Sequence, residues 1–417
     1  MKNCFFTADI LLPDFNKVNG EKWATVACDQ FTSEPEYWEE ADRFVGGEPS
    51  ALRVILPEVY LSESDARVPT INKTMDEYLE GVFVNHPDAL IFVERTQASG
   101  GVRRGLIGRV DLECYDYKKG SDSLIRATEG TVVERIPPRV AVRRNASVEL
   151  PHVMLLIDDP DRTVIEPLMG KNAETAYDFD LMLGGGHIKG SFVDKSDCER
   201  IYAALEALAD ADRTESRYGA GLAPLLFAVG DGNHSLASAK AAYEEIKSRI
   251  GEDAAKDHPA RYALCEVVNL HDDALEFEPI YRVVFGADPE KLVSELAAYA
   301  ASLNGMAEPQ KIEYVYGTTR GELTVNAPTQ QLTVGTLQTF IDEYIKKNPG
   351  VEVDYIHGVD STEKLAAKDG AVGFIFDGMA KDSLFKTVML DGALPRKTFS
   401  MGHARDKRFY LEARKIK

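Results

Sequence analysis

Hydrophobic positions are most regular in the middle of the chain. Leu236, Ala239, Tyr243, Ile246 and Ile250 recur at spacings of three and four, which puts them on one face of an amphipathic helix. The run before them, Pro224 to Val229 (PLLFAV), is a short apolar stretch of the buried-strand kind, and Gly230-Asp231-Gly232 ends it. Strand, glycine turn, helix is the reading. Upstream, Ile201, Leu205 and Leu208 keep helical spacing, and Asp194 or Ser196 can cap a helix running to about Ala209. Tyr262 to Leu270 and Pro279 to Phe285 supply two further strands.

The first third reads as strand-rich. Ala51 to Leu61 (ALRVILPEVYL), Ala89 to Glu94 and Val102 to Leu112 predict strands, with a helix over Met75 to Val82 between them. Thr131 to Glu134 and His152 to Ile157 add two more. After a boundary near Ala287 to Pro289 comes a helix from Glu290 to Leu303, then strands at Lys311 to Tyr316 and Glu322 to Val325. A helix at Thr336 to Lys347, a strand at Val353 to His357, a helix at Glu363 to Lys368 and a strand at Ala371 to Phe376 follow. Thr398 to Ile416 reads as extended. The fold class is therefore α+β with a mixed sheet: a core domain over 1–288 and a C-terminal α+β unit over 289–417, whose last strands can return to the core.

The turn after Val229 also concentrates chemistry. Glycines at 230 and 232 let the chain turn tightly, and the first N–H groups of the following helix point at whatever sits there, which is an anion-binding geometry. Asp231, Asn233, His234 and Ser235 add a carboxylate, an amide, an imidazole and a hydroxyl within five residues. Asp231 can ligate Mg²⁺ or accept a proton, and His234 can neutralise or protonate a phosphoryl oxygen. A helix cap needs one such group; four in succession favour function. Arg126, Glu129, Thr131, Arg135 and Arg139 lie in a strand-like context where they contact phosphate or pair across a sheet edge. Asp29 and Gln30 sit in an otherwise apolar stretch, where a buried carboxylate needs a partner. Leu183 to Phe192 (LGGGHIKGSF) places His187 and Lys189 among glycines and by itself reads as a hairpin turn.

Composition narrows the function classes. With 48 Lys and Arg against 68 Asp and Glu the formal charge is −20, which opposes attraction to nucleic acid or an anionic membrane. The stretch Pro395 to Lys417 is the exception, with eight cations and two anions. No window approaches the roughly 18 apolar residues of a membrane span, so no membrane association is expected. The five cysteines are dispersed without a C-x-x-C, which fits a reducing cytoplasm. Walker, Rossmann, H-E-x-x-H and G-x-S-x-G patterns are all missing.

Taken in order, these segments resemble the family known as domain of unknown function 1015, over nearly the whole chain. Its most specific element is a D-G-x-H motif after a buried strand, ordinarily DGHHR and here DGNHS, Asp231 to Ser235. The Asp29 segment, Leu56 to Glu58, the R-x-T-E-x-T of Arg126 to Thr131, Tyr281 with Arg282, and Pro395 to Thr398 support it. The motif also looks like that of free serine kinases built on the ParB and sulfiredoxin fold, which move phosphate between a nucleotide and the serine hydroxyl. That resemblance implies a ParB/sulfiredoxin-like core with large insertions. It also implies serine or O-phosphoserine as substrate, an adenine nucleotide (ADP/ATP or AMP/ADP) as donor or acceptor, and Mg²⁺ at Asp231. Asp231 and His234 match the motif's acid and histidine, and Gly232 its glycine. Asn233 and Ser235 replace a histidine and an arginine, so one cation near the phosphate must come from elsewhere, with Arg282, Lys397 and Lys189 as candidates. Asp29 and Glu129 are the candidate bases, and Gly230, Gly232, Asn233, Ser235, Arg126 and Thr131 the remaining phosphate or nucleotide contacts. The competing functions are phosphoserine hydrolysis without nucleotide and a non-enzymatic nucleotide-binding regulatory module.

Overall fold

Alternation along the long strands sends successive side chains into two different cores. Phe92, Leu106, Cys265 and Val267 enter one hydrophobic cluster, while their neighbours Ile91, Val93, Ile107 and Leu264 enter another. A sheet with both faces buried follows from that period of two. The computed structural model describes residues 3–27, 35–97, 100–130, 136–402 and 406–417, and its contacts divide the chain into two compact units. Met1–Leu275 with Gly402–Lys417 form the first, and Glu276–Met401 the second.

The first unit is built on a mixed sheet. Among the described residues its strands run Thr175–Asp180, His187–Phe192, Ile91–Thr96, Val102–Asp111, Tyr262–Asn269, Met154–Ile157, Phe227–Asp231, Ile125–Ala127 and Tyr115–Asp116, with Phe5–Phe6 beside Val102–Asp111. Antiparallel pairing holds from Thr175–Asp180 to Tyr262–Asn269. Met154–Ile157 then lies parallel to Tyr262–Asn269 and antiparallel to Phe227–Asp231, and Ile125–Ala127 is parallel to the latter. Helices Lys195–Leu208 and Asn233–Ile250 pack Ile201, Leu205, Leu236 and Tyr243 into one core. The Asp194 carboxylate caps the first of these, accepting from the Asp197 N–H at 2.8 Å.

The second unit is a separate α+β body. Its antiparallel sheet runs Thr319–Val325, Gln310–Tyr316, Ala371–Ile375, Phe277–Phe285, Glu352–His357. Helices Pro289–Ser302, Thr333–Lys347, Val359–Ala366 and Ser383–Asp391 accompany it. The division falls between Leu275 and Glu276 because Phe277–Phe285 is bonded on both sides within this second sheet. The whole structure is thus mixed α and β. No helix among the described residues is long and apolar enough to cross a membrane.

Local structure departs from the sequence expectation in several places, among them helix Ile136–Arg144, which carries the Arg139 expected in a strand-like context. Ala51 to Leu61 is not a strand: Ala51–Arg53 and Glu58–Glu63 are 3₁₀ turns. Ser50 Oγ accepts from the Leu52 N–H at 3.3 Å, and Pro57 has no N–H to offer a ladder, so the apolar run is buried as turns. The helix expected over Met75 to Val82 begins at Ser64 and carries Pro69 within it. Helix Ser383–Asp391 is unforeseen, and the strand expected at Thr131 to Glu134 lies outside the described residues. Among the described residues, Thr398 to Ile416 contributes the short strands Phe399–Met401 and Arg414–Lys415.

The closing segment is nonetheless well tied into the first unit. Leu11 and Ala413 exchange backbone hydrogen bonds at 2.8 and 2.9 Å, and Arg414 pairs with the buried Glu149 at 2.7 Å. Glu412 is fully buried and accepts from the Tyr177 hydroxyl at 2.6 Å. Burial pushes its carboxyl up to about 7, with the Glu266 charge adding to the push and the Tyr177 hydroxyl opposing it. An unfolded glutamate titrates near pH 4.3, roughly, so between about pH 4 and 7 the folded chain binds the extra proton. This residue therefore weakens the fold progressively as pH rises through that window. Glu412→Gln is expected to stabilise the protein by on the order of 2 kcal/mol at pH 8 and hardly at all at pH 4.5. Urea unfolding of both proteins at the two pH values checks this, and an equal gain at both would remove ionisation as the cause.

Candidate functional site

The site begins where strand Phe227–Asp231 leaves the sheet. Its antiparallel partner Met154–Ile157 keeps register at Val229 and Leu155, then shifts so that Asp231 faces Met154. That shift brings His152, two residues before the partner strand, beside Asp231. On the other side, Thr128 Oγ donates to the Val229 carbonyl at 2.6 Å, and Asn233 Oδ1 accepts from the Thr128 N–H at 3.3 Å. Asn233 is buried by these contacts and staples the turn to the neighbouring strand.

Gly232 then starts the helix Asn233–Ile250 with φ 82°, in the left-handed region that favours glycine. A Cβ here would lie 2.3 Å from the His152 carbonyl oxygen. The helix has no side-chain cap, and its first closed turn runs from the Leu236 N–H to the Gly232 carbonyl at 2.9 Å. The preceding N–H groups, of Asn233, His234 and Ser235, thus stand at the positive end of the helix dipole.

Lys407 and His152 converge on Asp231. Its Oδ2 lies 3.0 Å from Lys407 Nζ and 3.2 Å from His152 Nε2, while Oδ1 accepts from the Gly232 N–H at 2.8 Å. His152 is buried, and its Nδ1 donates to the Arg408 carbonyl at 2.7 Å. Burial would raise the Asp231 carboxyl, but the Lys407 charge and the His152 and Lys407 hydrogen bonds outweigh it and hold the group well below the usual carboxylate range. Lys407 is itself placed by backbone: its carbonyl accepts from the Ala27 N–H at 2.8 Å, and Arg408 bridges to Val26. Val26 and Ala27 therefore run directly alongside Lys407 and Arg408. An ionised carboxylate anchoring an ammonium and an imidazole beside an uncapped helix start is suited to holding an anion.

The same contacts decide against Mg²⁺ at Asp231. Both carboxylate oxygens already serve N–H donors, and a metal ion on Oδ2 would sit against the ammonium of Lys407. Among the described residues no group of three or more His, Cys, Asp or Glu side chains is arranged to hold a metal.

The remaining sequence candidates are dispersed. His234 is half-buried and its carbonyl accepts from Ser238 Oγ; Ser235 is exposed and Gly230 lies within strand Phe227–Asp231. Arg126 is buried, donating to the carbonyls of Ser123, Ala223 and Pro224 at 2.8–3.0 Å, so its guanidinium closes the loop ahead of Phe227. Glu129 is half-buried two residues beyond strand Ile125–Ala127. Lys189 sits mid-strand in register with Glu94 and Asp178. Arg282 and Lys397 belong to the second unit, where the fully buried Arg282 donates to the carbonyls of Lys397 and Arg396, each at 2.9 Å. Asp29 and Thr131 lie outside the described residues. Sequence reasoning missed His152 and singled out Lys407 only as one of several tail cations. The signal for His152 was its position just ahead of a buried strand, and for Lys407 the charge contrast of the final stretch.

A profile of the family described as "Protein of unknown function (DUF1015)" matches residues 14–347. No curated protein matches the sequence. Among solved structures, a free serine kinase variant in complex with ADP aligns with 73% of this chain and 90% of its own, at 10% identity and a TM-score of 0.39. A conserved hypothetical protein from Pyrococcus furiosus covers 70% and 89% at 9% identity and a TM-score of 0.34. SbnI with a C-terminal truncation, from Staphylococcus aureus, covers 71% and 82% at 9% identity and a TM-score of 0.35. All three are distant likenesses.

Proposed function

The chain belongs to the DUF1015 family of proteins of unknown function, and for it we propose a phosphotransferase activity that moves a phosphoryl group between an adenine nucleotide and serine or O-phosphoserine. One observation carries this reading: Lys407 and His152 meet on Asp231 beside the uncapped start of helix Asn233–Ile250. Phosphoryl transfer asks a protein mainly for positioning and charge stabilisation, and backbone N–H groups with fixed cations supply both. The choice of serine and of a nucleotide follows from the likeness of DGNHS to the free serine kinase motif, as do a ParB/sulfiredoxin-like origin for the first unit and a place in cytoplasmic serine metabolism.

In this reading the phosphate rests on the N–H groups of Asn233, His234 and Ser235 with the Lys407 ammonium against its oxygens. Asp231 is a positioning residue that orients Lys407 and His152. When serine is the acceptor, its hydroxyl oxygen forms the new P–O bond, the bond to the nucleotide's terminal bridging oxygen breaks, and the hydroxyl proton passes to a carboxylate. Glu129 is the described candidate for that carboxylate, and Asp29 the other. With O-phosphoserine as donor the same bonds exchange in reverse.

Phosphorus NMR of the purified protein with Mg²⁺ and O-phosphoserine, run with AMP, with ADP and without nucleotide, tests the proposal. Appearance of ADP or ATP at the expense of O-phosphoserine is the expected result. Free phosphate in the tube without nucleotide would make the protein a phosphatase instead, and unchanged spectra in all three would overturn the reading.

A further inference from the structure

A cavity of about 220 Å³ opens next to the anion-binding turn, within the first unit. Ser235 of the turn and His152, which meets Asp231, also line it, so the two are continuous. Its walls are otherwise mostly apolar, with Leu56, Val142, Leu150 and Phe409 among them. Complete sites for small molecules run to about 300–1,000 Å³, so this cavity is sized for part of a ligand whose charged end stays outside. Arg143, on helix Ile136–Arg144, also lines it and uses Nη2 to pair with Glu149. A flat ring suits such a chamber, its apolar faces lying against aliphatic walls.

We propose that this cavity seats the base of the nucleotide whose phosphate lies on the 231–235 turn. The inference rests on the nucleotide reading above and adds to it the place and chemistry of base recognition. Phosphate affinity and base affinity then come from adjoining but separate surfaces: the helix start with Lys407 on one side, and the walls around Val142 and Arg143 on the other. Val142 is half-buried on its helix, so a larger side chain there fills the cavity from its rim.

The test compares AMP with ribose 5-phosphate, which keeps the phosphate and sugar but lacks the base, by calorimetric titration of the full chain. Wild-type protein is expected to bind AMP at least about tenfold more tightly than ribose 5-phosphate. Val142→Phe should bring AMP down to the affinity of ribose 5-phosphate, with Leu56→Phe as a second variant should the first fail to fold. Equal wild-type affinity for the two compounds would overturn the base pocket while leaving the phosphate site standing. A wild-type preference for AMP that both folded variants retain would also overturn it, since the base would then bind elsewhere. If neither compound binds the wild type, the nucleotide reading fails together with this inference.

Discussion

Lys407→Met is expected to lower phosphoryl transfer by about 100-fold with the fold intact, the effect of deleting one preorganised charge-stabilising donor. Methionine keeps the length of the side chain and removes only the ammonium that sits 3.0 Å from Asp231 Oδ2. Lys407→Arg should recover most of the activity, which loss of packing alone would not allow. Asp231→Asn is expected to fall by a similar factor, because an amide no longer fixes the ammonium. The double variant should be no slower than either single one, since two residues that act through one another do not add. A double variant slower by the product of the two losses would show Asp231 acting on its own. Because the Asp231 carboxyl is held well below its ordinary range, it stays ionised down to pH 4. Any acid limb above that pH in the wild-type rate profile therefore belongs to another group.

Gly232→Ala should destabilise the protein by about 3 kcal/mol and disable the site with it. Two penalties combine: φ of 82° is costly for any residue with a Cβ, and that Cβ would be 2.3 Å from the His152 carbonyl oxygen. The obstructing atom is backbone, so helix Asn233–Ile250 and the chain ahead of Met154 must move apart, and His152 leaves Asp231. Gly46, just past helix Pro35–Val45, separates the two penalties, having φ of 60° and nothing within 4 Å of its Cβ position. Gly46→Ala is expected to cost only about 1 kcal/mol. Urea unfolding of the two variants gives the comparison, and equal losses would mean that close packing at Gly232 contributes nothing.

The difference between what the sequence disclosed and what it hid follows from distance along the chain. The strand, turn and helix spanning Phe227 to Ile250 were legible because their periodicity and glycines are local, and Asp231 came with them. His152 is 79 residues away and meets Asp231 only through the pairing of two strands, a register that no local pattern encodes. Lys407 arrives through single backbone contacts to Ala27 and Val26, which leave no periodic trace. Arg126 illustrates the opposite error of emphasis. A strand-borne arginine near a phosphate motif invites a ligand, whereas its donors meet three carbonyls of one loop. Ala51 to Leu61 shows that an apolar run specifies burial before it specifies a strand. Val54 and Ile55 are buried as expected, in turns that Pro57 and Ser50 impose.

Because residues 406–411 lie between residues 24–27 and 151–153, the order of synthesis bears on when this protein can work. At about 5–20 residues per second, a growing chain carries His152 and Asp231 for on the order of ten seconds before Lys407 is made. During that interval the second unit, one continuous stretch from Glu276 to Met401, is completed. The nascent first unit holds a carboxylate awaiting its ammonium and a groove awaiting its last segment. Completion of the proposed site thus waits on residues 406–411, which reach a turn laid down long before.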